Sequence, residues 1–590
     1  QTGRMNQPVD FPSDLYSLGA IFYEMFTGHP PFPLQDPLEL VHAHLSISPV
    51  PPHQLNASVP AVLSQLVLKL LNKRPEDRYQ SAYGLACDLE RIINMQELGE
   101  QIASFHLGLE DRPYGLQIPS RLYGREMETA ALLQAFHNTI EEGRAELFLV
   151  GGYSGVGKTT LVNELYKPLI QEEGFFLSGK FDQYRTNVLF ATFHQAFQGF
   201  IHYLLTKPDT IIEHWRNELE KALGQNAAVI LNVIPELELL LGEKPTVPTL
   251  STAEEQLRFD LTFSKFVSVF ARSEKPMAIF LDDLQWADAA SLRLIKNLVS
   301  EEGIGTLLII GAYRDNEVGP EHPLSQMLKE LAESEISVNQ VILKPLSEKQ
   351  ACALVADTLR CSELEAAPLS SLVYAKTNGN PFFTIQFLNT LYQEHLLFFD
   401  DGGRTWKWDL AQVEAQGYAD NIVDLLLAKL LRLPAAVREI LKLAACLGNK
   451  GDFRTLSILC QQDEAALIEN IQPAIDQGLI LNQSGTYKFL HDRVQQAAYS
   501  LIPEGERSQE HLRIGHLLLQ HSKNEEVEER VFDIVNHLNL GKAHITETEE
   551  LLALAALNLV AGRRAKANTA YNFAIEIFEQ GVSLLNEEFW

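Results

Sequence analysis

Gly151-Gly152-Tyr153-Ser154-Gly155-Val156-Gly157-Lys158-Thr159-Thr160 is the stretch on which the fold turns. The apolar run Glu146-Leu147-Phe148-Leu149-Val150 precedes it and Leu161 to Tyr166 reads as helix, so the order is strand, glycine turn, helix. Gly152, Gly155 and Gly157 let the backbone close around phosphate oxygens, with successive N–H groups and the positive end of the helix aimed at the anion. Lys158 adds a point charge for the β- and γ-phosphates, Thr159 supplies a hydroxyl for Mg²⁺, and Thr160 is a further nucleotide contact. A glycine-rich turn with a chance lysine would share the composition but not the Gly152-to-Thr159 spacing in this context. The stretch implies a nucleoside triphosphate site.

Pro276-Met277-Ala278-Ile279-Phe280-Leu281 reads as a strand buried on both faces, as a parallel sheet requires. It ends in Asp282-Asp283, at the strand end that faces the ligand crevice. Asp282 is placed to hold Mg²⁺ through water, and Asp283 to polarise an attacking water. Further strands are expected at 175–180, 306–312 and 338–343, alternating with helices. One of these helices carries Leu132, Leu133, Phe136 and Ile140 on one face. The pattern predicts an α/β P-loop NTPase, a parallel sheet with helices on both faces, over 121–345.

With 590 residues the chain is expected to hold several domains. A net charge of −29, from 77 acidic and 48 basic residues, opposes binding to nucleic acid or an anionic membrane. Cys87, Cys352, Cys361, Cys446 and Cys460 lack metal-ligand spacing and read as reduced, mostly buried thiols, which fits a cytoplasmic location. No apolar run reaches the roughly 18 residues of a membrane-spanning helix, and no signal peptide is apparent. Gln1 at the start and a helical pattern running into Trp590 predict a piece of a longer chain, cut at both ends.

Ahead of the ATPase region, helices are expected at 13–28, 37–46, 60–72 and 81–94, followed by a linker at 96–120 that includes Asp111-Arg112-Pro113-Tyr114-Gly115. Behind it, 346–400 reads as helices within a lid at 346–415, broken at Thr377-Asn378-Gly379-Asn380-Pro381. Three helical patterns at 435–478 and an alternating run at 479–490 around Ser484-Gly485 predict a winged-helix-like domain over 416–505. It lacks the basic recognition helix of a nucleic-acid reader. From 506 to 590 helices pair, with Ala561-Gly562, Ala565, Ala570-Tyr571 and Ala574 setting small residues at helix contacts, as tetratricopeptide-like repeats do.

Residues 1–95 resemble the C-terminal part of a serine/threonine protein kinase domain, with Asp14 to Gly19 matching the family's Asp-x-Trp/Tyr-Ser-x-Gly helix and Arg78 its late arginine. In that family the residue matching Asp14 braces the catalytic loop and the one matching Arg78 pairs with a glutamate. Both partners would precede Gln1. The glycine loop, ATP lysine, His-Arg-Asp and Asp-Phe-Gly motifs are missing, so this stretch is not expected to phosphorylate anything by itself.

Leu122-Tyr123-Gly124-Arg125-Glu126, the P-loop, Leu281-Asp282-Asp283-Leu284-Gln285-Trp286-Ala287-Asp288 and Gly311 to Asn316 are similar to the STAND class of AAA-type signal-transducing ATPases, above all those fused behind a serine/threonine kinase in large bacterial sensor proteins. The resemblance covers nearly the whole chain. It implies that Arg314 watches the γ-phosphate, that Pro381 touches the adenine, and that His491, in Phe489-Leu490-His491-Asp492-Arg493, reaches the ADP diphosphate. A surface arginine, a loop cap and a structural histidine are the plainer roles for these three. Two functions follow: an ATP-hydrolysing switch, closed with ADP and open with ATP, acting on signalling proteins or through self-assembly of the helical array; or a scaffold that binds ATP for stability alone. Asp283 separates them, because a scaffold has no use for a second acid.

Overall fold

The computed structural model describes residues 12–34, 40, 43–44, 47–97, 105–111, 115–119, 121–181, 190–242, 252–272, 275–301, 303–334, 336, 338–400, 405–415, 427, 429–483, 485–522, 524–567 and 571–585. The chain divides into two compact units. One comprises Gln1–Glu126, Glu164–Gln171 and Pro345–Gly417, the other Met127–Asn163, Glu172–Lys344 and Tyr418–Trp590.

The second unit is organised on five parallel strands, β1 (Glu146–Gly152), β2 (Phe175–Lys180), β3 (Met277–Asp282), β4 (Leu307–Tyr313) and β5 (Val338–Leu343), in the order β2-β3-β4-β1-β5. Every residue of β1 and β4 is buried, which is why these runs are continuous in apolar residues rather than alternating. Lys180 pairs in register with Asp282, and Gly151 with Tyr313, so the strand ends that carry chemistry share one edge of the sheet.

Between β2 and β3 the helices Ala191–Leu205 and Thr252–Phe270 present Phe193, Phe197, Phe200 and Phe259, Phe263, Phe266, Phe270 at three- and four-residue spacing. Phe190 stacks on Phe259 at 4.8 Å, Phe200 meets Phe270 at 4.9 Å and Phe197 meets Phe266 at 5.0 Å. Full burial of each such ring stabilises the fold by roughly 1.5–3 kcal/mol, and this layer fixes β2 beside β3.

In the first unit, helices Pro12–Thr27, Ala61–Leu70 and Ala82–Glu97 close around Leu15, Val62, Leu66, Leu70, Tyr79, Leu85 and Ile92. Of the helix expected at 37–46, only residues 40, 43 and 44 are described. Arg78 donates to the Asn72 and Lys73 carbonyls at 2.7 and 3.1 Å and lies over the Tyr16 ring. Part of the stretch read as a linker is bound to these helices: Asp111 accepts from Gln80 N at 2.7 Å and Ser81 Oγ at 2.8 Å, and Lys69 Nζ donates to Leu107 O at 3.2 Å. Arg112, Pro113 and Tyr114 lie outside the described residues.

After β5 come the helices Glu348–Leu359, Glu363–Thr377 and Pro381–Gln393, the first two opened by capping boxes at Ser347 and Ser362. Helix does not run on to residue 400. Instead β6 (Leu397–Asp400) pairs antiparallel with β7 (Thr405–Trp408), because Leu397 and Trp406 are buried by this pairing and Phe399 packs on Trp406 at 5.6 Å. A four-residue apolar run has no readable period, so the partner strand decides its structure.

Within the second unit, helices Ala435–Leu447, Phe453–Cys460 and Glu464–Asp476 match the three helical patterns expected there. The hairpin is β9 (Ile480–Gln483) and β10 (Thr486–Phe489), and Ser484 lies outside the described residues. A third strand, β8 (Lys450–Asp452), pairs with β10 and is not apparent in the sequence, being three residues long. Gly451 permits that pairing: a Cβ there would sit 2.7 Å from the Tyr487 hydroxyl, which donates to Ala444 O at 3.0 Å. Helix Asp492–Ser500 follows, then Glu504–Gln520, Asn524–Gly541, Thr548–Ala567 and Tyr571–Ser583, each packed on the next among the last four. Ala561, Ala565 and Ala574 are buried against Phe532 and Ile577, and a Cβ on Gly562 would fall 2.2 Å from Phe578. Ala570 lies outside the described residues.

Gly311 in β4 lets the turn after β3 rest on the sheet, since a Cβ there would meet Leu284 Cδ1 at 2.2 Å and Leu149 Cδ2 at 2.8 Å. Gly311→Val is therefore expected to cost about 1–3 kcal/mol of stability by overpacking. Urea unfolding checks this through a lower midpoint at unchanged slope.

Candidate nucleotide site

The glycine loop leaves β1 with Gly152, Gly155 and Gly157 at φ of 145°, 80° and 101°, in the left-handed region that a side chain would strain. Gly152 is also pressed on β5, where a Cβ would lie 2.7 Å from Leu343 O. At Gly157, by contrast, a Cβ would meet nothing within 4 Å, leaving space in front of the amides at the start of helix Lys158–Asn163. Open space beside Gly157, at the start of a helix, suits a phosphate chain. Lys158, buried to 8% exposure, folds back to donate to Gly152 O at 2.8 Å and Tyr153 O at 3.1 Å. Burial pulls its pKa down, against the attraction of Asp282 and Asp283.

Thr159 Oγ1 donates to Asp282 Oδ2 at 3.3 Å, bringing together the two residues assigned to Mg²⁺. One hydroxyl and one carboxylate form the hard, sparse oxygen set that Mg²⁺ takes when water and phosphate complete its shell. Thr160 is exposed one residue further on.

Asp283 is held at φ 58°, a left-handed conformation rare outside glycine, and is almost fully buried. Gln285 Nε2 donates to its Oδ1 at 2.8 Å, Lys180 Nζ lies 3.0 Å from its Oδ2, and Arg314 Nε lies 3.6 Å from Oδ1. Burial, reinforced by the neighbouring Asp282 charge, pushes its pKa up to about 7, while Lys180 and Arg314 oppose the rise. Gln285 also accepts from Arg314 N at 3.0 Å, so one amide fixes both the acid and the start of the next loop.

Arg314 is buried at the end of β4, stacked over Trp286 at 4.6 Å. Its guanidinium reaches Glu317 Oε1 and Asp492 Oδ2, each at 2.8 Å. Asp492 opens the Asp492–Ser500 helix, and its Oδ1 accepts from Lys180 Nζ at 2.6 Å and Asn449 Nδ2 at 2.7 Å. Burial favours the neutral acid, but Lys180, His491 and Arg314 outweigh it and hold the Asp492 carboxyl well below the usual range. Lys180, Asp283, Arg314 and Asp492 thus close a ring in which basic and acidic side chains alternate.

His491 caps the same helix, its Nδ1 accepting from Arg493 N at 3.1 Å. With Nδ1 accepting, the neutral ring carries its hydrogen on Nε2, the nitrogen 3.5 Å from Ser154 Oγ in the glycine loop, 337 residues away in sequence. Burial, with Lys180 and Arg314 nearby, lowers the His491 pKa to about 3 despite Asp492, so the ring is neutral near pH 7. The cap is the structural role weighed for this histidine, and the loop contact accompanies it. Pro381 belongs to the other unit, where it opens helix Pro381–Gln393 behind an Asn380 cap. Sequence reasoning missed Lys180, Gln285 and Asn449. Lys180 and Gln285 carry a signal, each being a polar residue at or just beyond the end of a strand of the parallel sheet. Asn449 carries none.

Residues 121–310 match the family model described as an AAA ATPase domain. The match takes in the glycine loop, Asp282 and Asp283. Hybrid signal transduction histidine kinase G of Dictyostelium discoideum is 31% identical over 723 residues, covering 99% of this chain and 21% of that protein. It is a eukaryotic protein, whereas the sequence resemblance pointed to bacterial sensors. Serine/threonine-protein kinase PknB of Mycobacterium tuberculosis is 43% identical over 86 residues, 15% of this chain and 14% of that kinase. This chain therefore spans about a fifth or less of these relatives. Among solved structures, a signal transduction ATPase with numerous domains carrying a tetratricopeptide repeat sensor, from Pyrococcus horikoshii, is similar at 13% identity and a TM-score of 0.39, over 81% of this chain and 60% of that one. Among the described residues no helix is long and apolar enough to cross a membrane.

Lys158→Ala is expected to abolish ATP affinity, since it removes the cation of the phosphate cradle; titration with a fluorescent ATP analogue measures this, and unchanged affinity contradicts the site. Asp283→Asn is expected to keep ATP bound and slow its hydrolysis by about 10²-fold or more, the usual scale for a lost general base. Single-turnover phosphate release checks it, and equal rates favour the scaffold.

Proposed function

We propose that the chain is a nucleotide-controlled switch, closed with ADP and opened by ATP, with slow hydrolysis returning it to the closed form. The observation that carries this reading is the contact of His491 and Asp492 with the glycine loop and the strand-end cations, all within one unit. A downstream segment that touches the phosphate loop stands where a bound nucleotide bears on its docking. A ligand shifts such an equilibrium only through differential affinity, and His491 supplies it by bonding to one nucleotide state. Mg²⁺, held by Thr159 and Asp282, would supply charge neutralisation on the phosphates. Asp283 serves as the acid that orients water and Arg314 as the sensor of the terminal phosphate.

In the arrangement described here Asp283 faces Lys180 and Arg314, which suits a form in which water activation is switched off. The small domain at 416–505 acts as a winged-helix arm, and the helices from 506 onward as a tetratricopeptide-like surface for signalling proteins or self-assembly. We place this switch in the cytoplasm, behind a serine/threonine kinase domain and within a longer sensor protein. The match of residues to a kinase over 86 positions and to a signal-transduction histidine kinase over 99% of the chain supports that setting. The scaffold reading keeps nucleotide binding without the acid's role.

His491→Ala is expected to weaken ADP binding by roughly ten- to a hundredfold and ATP binding much less, the scale of one hydrogen bond to a charged group. Both affinities measured on one preparation decide it. Equal losses, or none, would assign His491 to helix capping alone.

A further inference from the structure

We propose that Lys180 reads the terminal phosphate: its ammonium, held by Asp492 in this form, is a phosphate ligand for which Asp492 and the γ-phosphate of ATP compete. The inference rests on the switch reading and gives that site a second sensor, beside Arg314.

Lys180 is the last residue of β2, in register with Asp282, at the same sheet edge as the glycine loop. A continuous run of contacts joins it to that loop. Thr159 bonds to Asp282 at 3.3 Å, Asp282 Oδ1 accepts from Asp283 N at 3.0 Å, and Asp283 Oδ2 lies 3.0 Å from Lys180 Nζ. On its other side the ammonium meets Asp492 at 2.6 Å. The Asp492 carboxylate is thus gripped by one lysine, one arginine and one amide, with Lys180 and Asn449 on Oδ1 and Arg314 on Oδ2. Two cations and a neutral donor converging on a small anion make a set that phosphate oxygens would satisfy as well as a carboxylate does.

The charge balance gives the competition its direction. Asp283 and Glu317 also face these cations, and withdrawal of Asp492 takes from Lys180 its 2.6 Å contact and from Arg314 one of its two 2.8 Å contacts. Loss of an ion-pair contact in a largely buried place is unfavourable, and another anion arriving there offsets it. ATP offers one more anionic group than ADP. A lysine suits the exchange, being a point charge on a flexible stem that can turn from one anion to another without the fixed geometry a guanidinium demands.

The test measures ATP and ADP affinity, with melting temperature as a folding control, for the 590-residue chain and its Lys180→Met, Lys180→Arg, Asp492→Asn and Lys180→Met/Asp492→Asn variants. Lys180→Met is expected to weaken ATP binding about tenfold or more, equivalent to about 1.4 kcal/mol, while ADP affinity changes less than about threefold. Lys180→Arg should recover most of the ATP affinity. Asp492→Asn should tighten ATP binding about tenfold, and that gain should shrink at least about threefold in the Lys180→Met background, because part of the competition has gone. Equal losses of ATP and ADP in Lys180→Met, with or without a lower melting temperature, would make Lys180 a structural residue and overturn the inference. So would an Asp492→Asn gain that is the same with and without Lys180. Failure of the underlying reading has a different signature, a wild-type chain with no nucleotide affinity or one indifferent to Lys158→Ala.

Discussion

The carboxylate of Asp492 is the constraint on which the rest of this arrangement depends. It takes Lys180 on one oxygen and Arg314 on the other, and so ties the ends of β2 and β4 to the first turn of a helix far along the chain. Removing one partner from a buried ion pair costs about 3–5 kcal/mol, whereas replacing it by another anion costs much less. A lock of this kind is firm against thermal fluctuation yet can be undone by a competing charge. That property is what a ligand-operated switch needs. Burial keeps the neighbouring His491 neutral, and Lys180 and Arg314 add to that effect against the pull of Asp492.

The sheet makes the lock possible. Parallel strands order their C-terminal ends along one edge, and the order β2-β3-β4-β1-β5 places Lys180, Asp282, Tyr313 and Gly152 together although they are separated by long insertions. The ladder to β3 and the packing of Phe175 on Phe200 at 4.9 Å, part of the phenylalanine layer between the Ala191–Leu205 and Thr252–Phe270 helices, seat β2 and with it Lys180. Asp283 shows how the local chain meets this demand. It accepts a left-handed backbone so that its side chain turns inward to Gln285 and the cations.

Much of this was legible in the residues. Continuous apolar runs gave β1, β3 and β4 close to their observed ends, because burial on both faces leaves no room for polar side chains. The glycine spacing located the phosphate cradle for a similarly local reason. What the sequence hid is non-local. β8 and β6 are too short to carry a period and exist because a partner strand lies beside them. Lys180 reads as an ordinary strand-end lysine until Asp492, 312 residues later, is seen to face it. Asp492 itself drew notice only through its neighbour His491, since nothing in a lone aspartate at a helix start distinguishes a cap from a counter-ion.

Amide hydrogen exchange along the Asp492–Ser500 helix, with ADP and then with a non-hydrolysable ATP analogue bound, tests the central claim most directly. The account predicts slow exchange with ADP and clearly faster exchange with the ATP analogue in this helix, while the Phe453–Cys460 helix of the same small domain stays protected in both. Equal protection of the Asp492–Ser500 helix under the two nucleotides would contradict it.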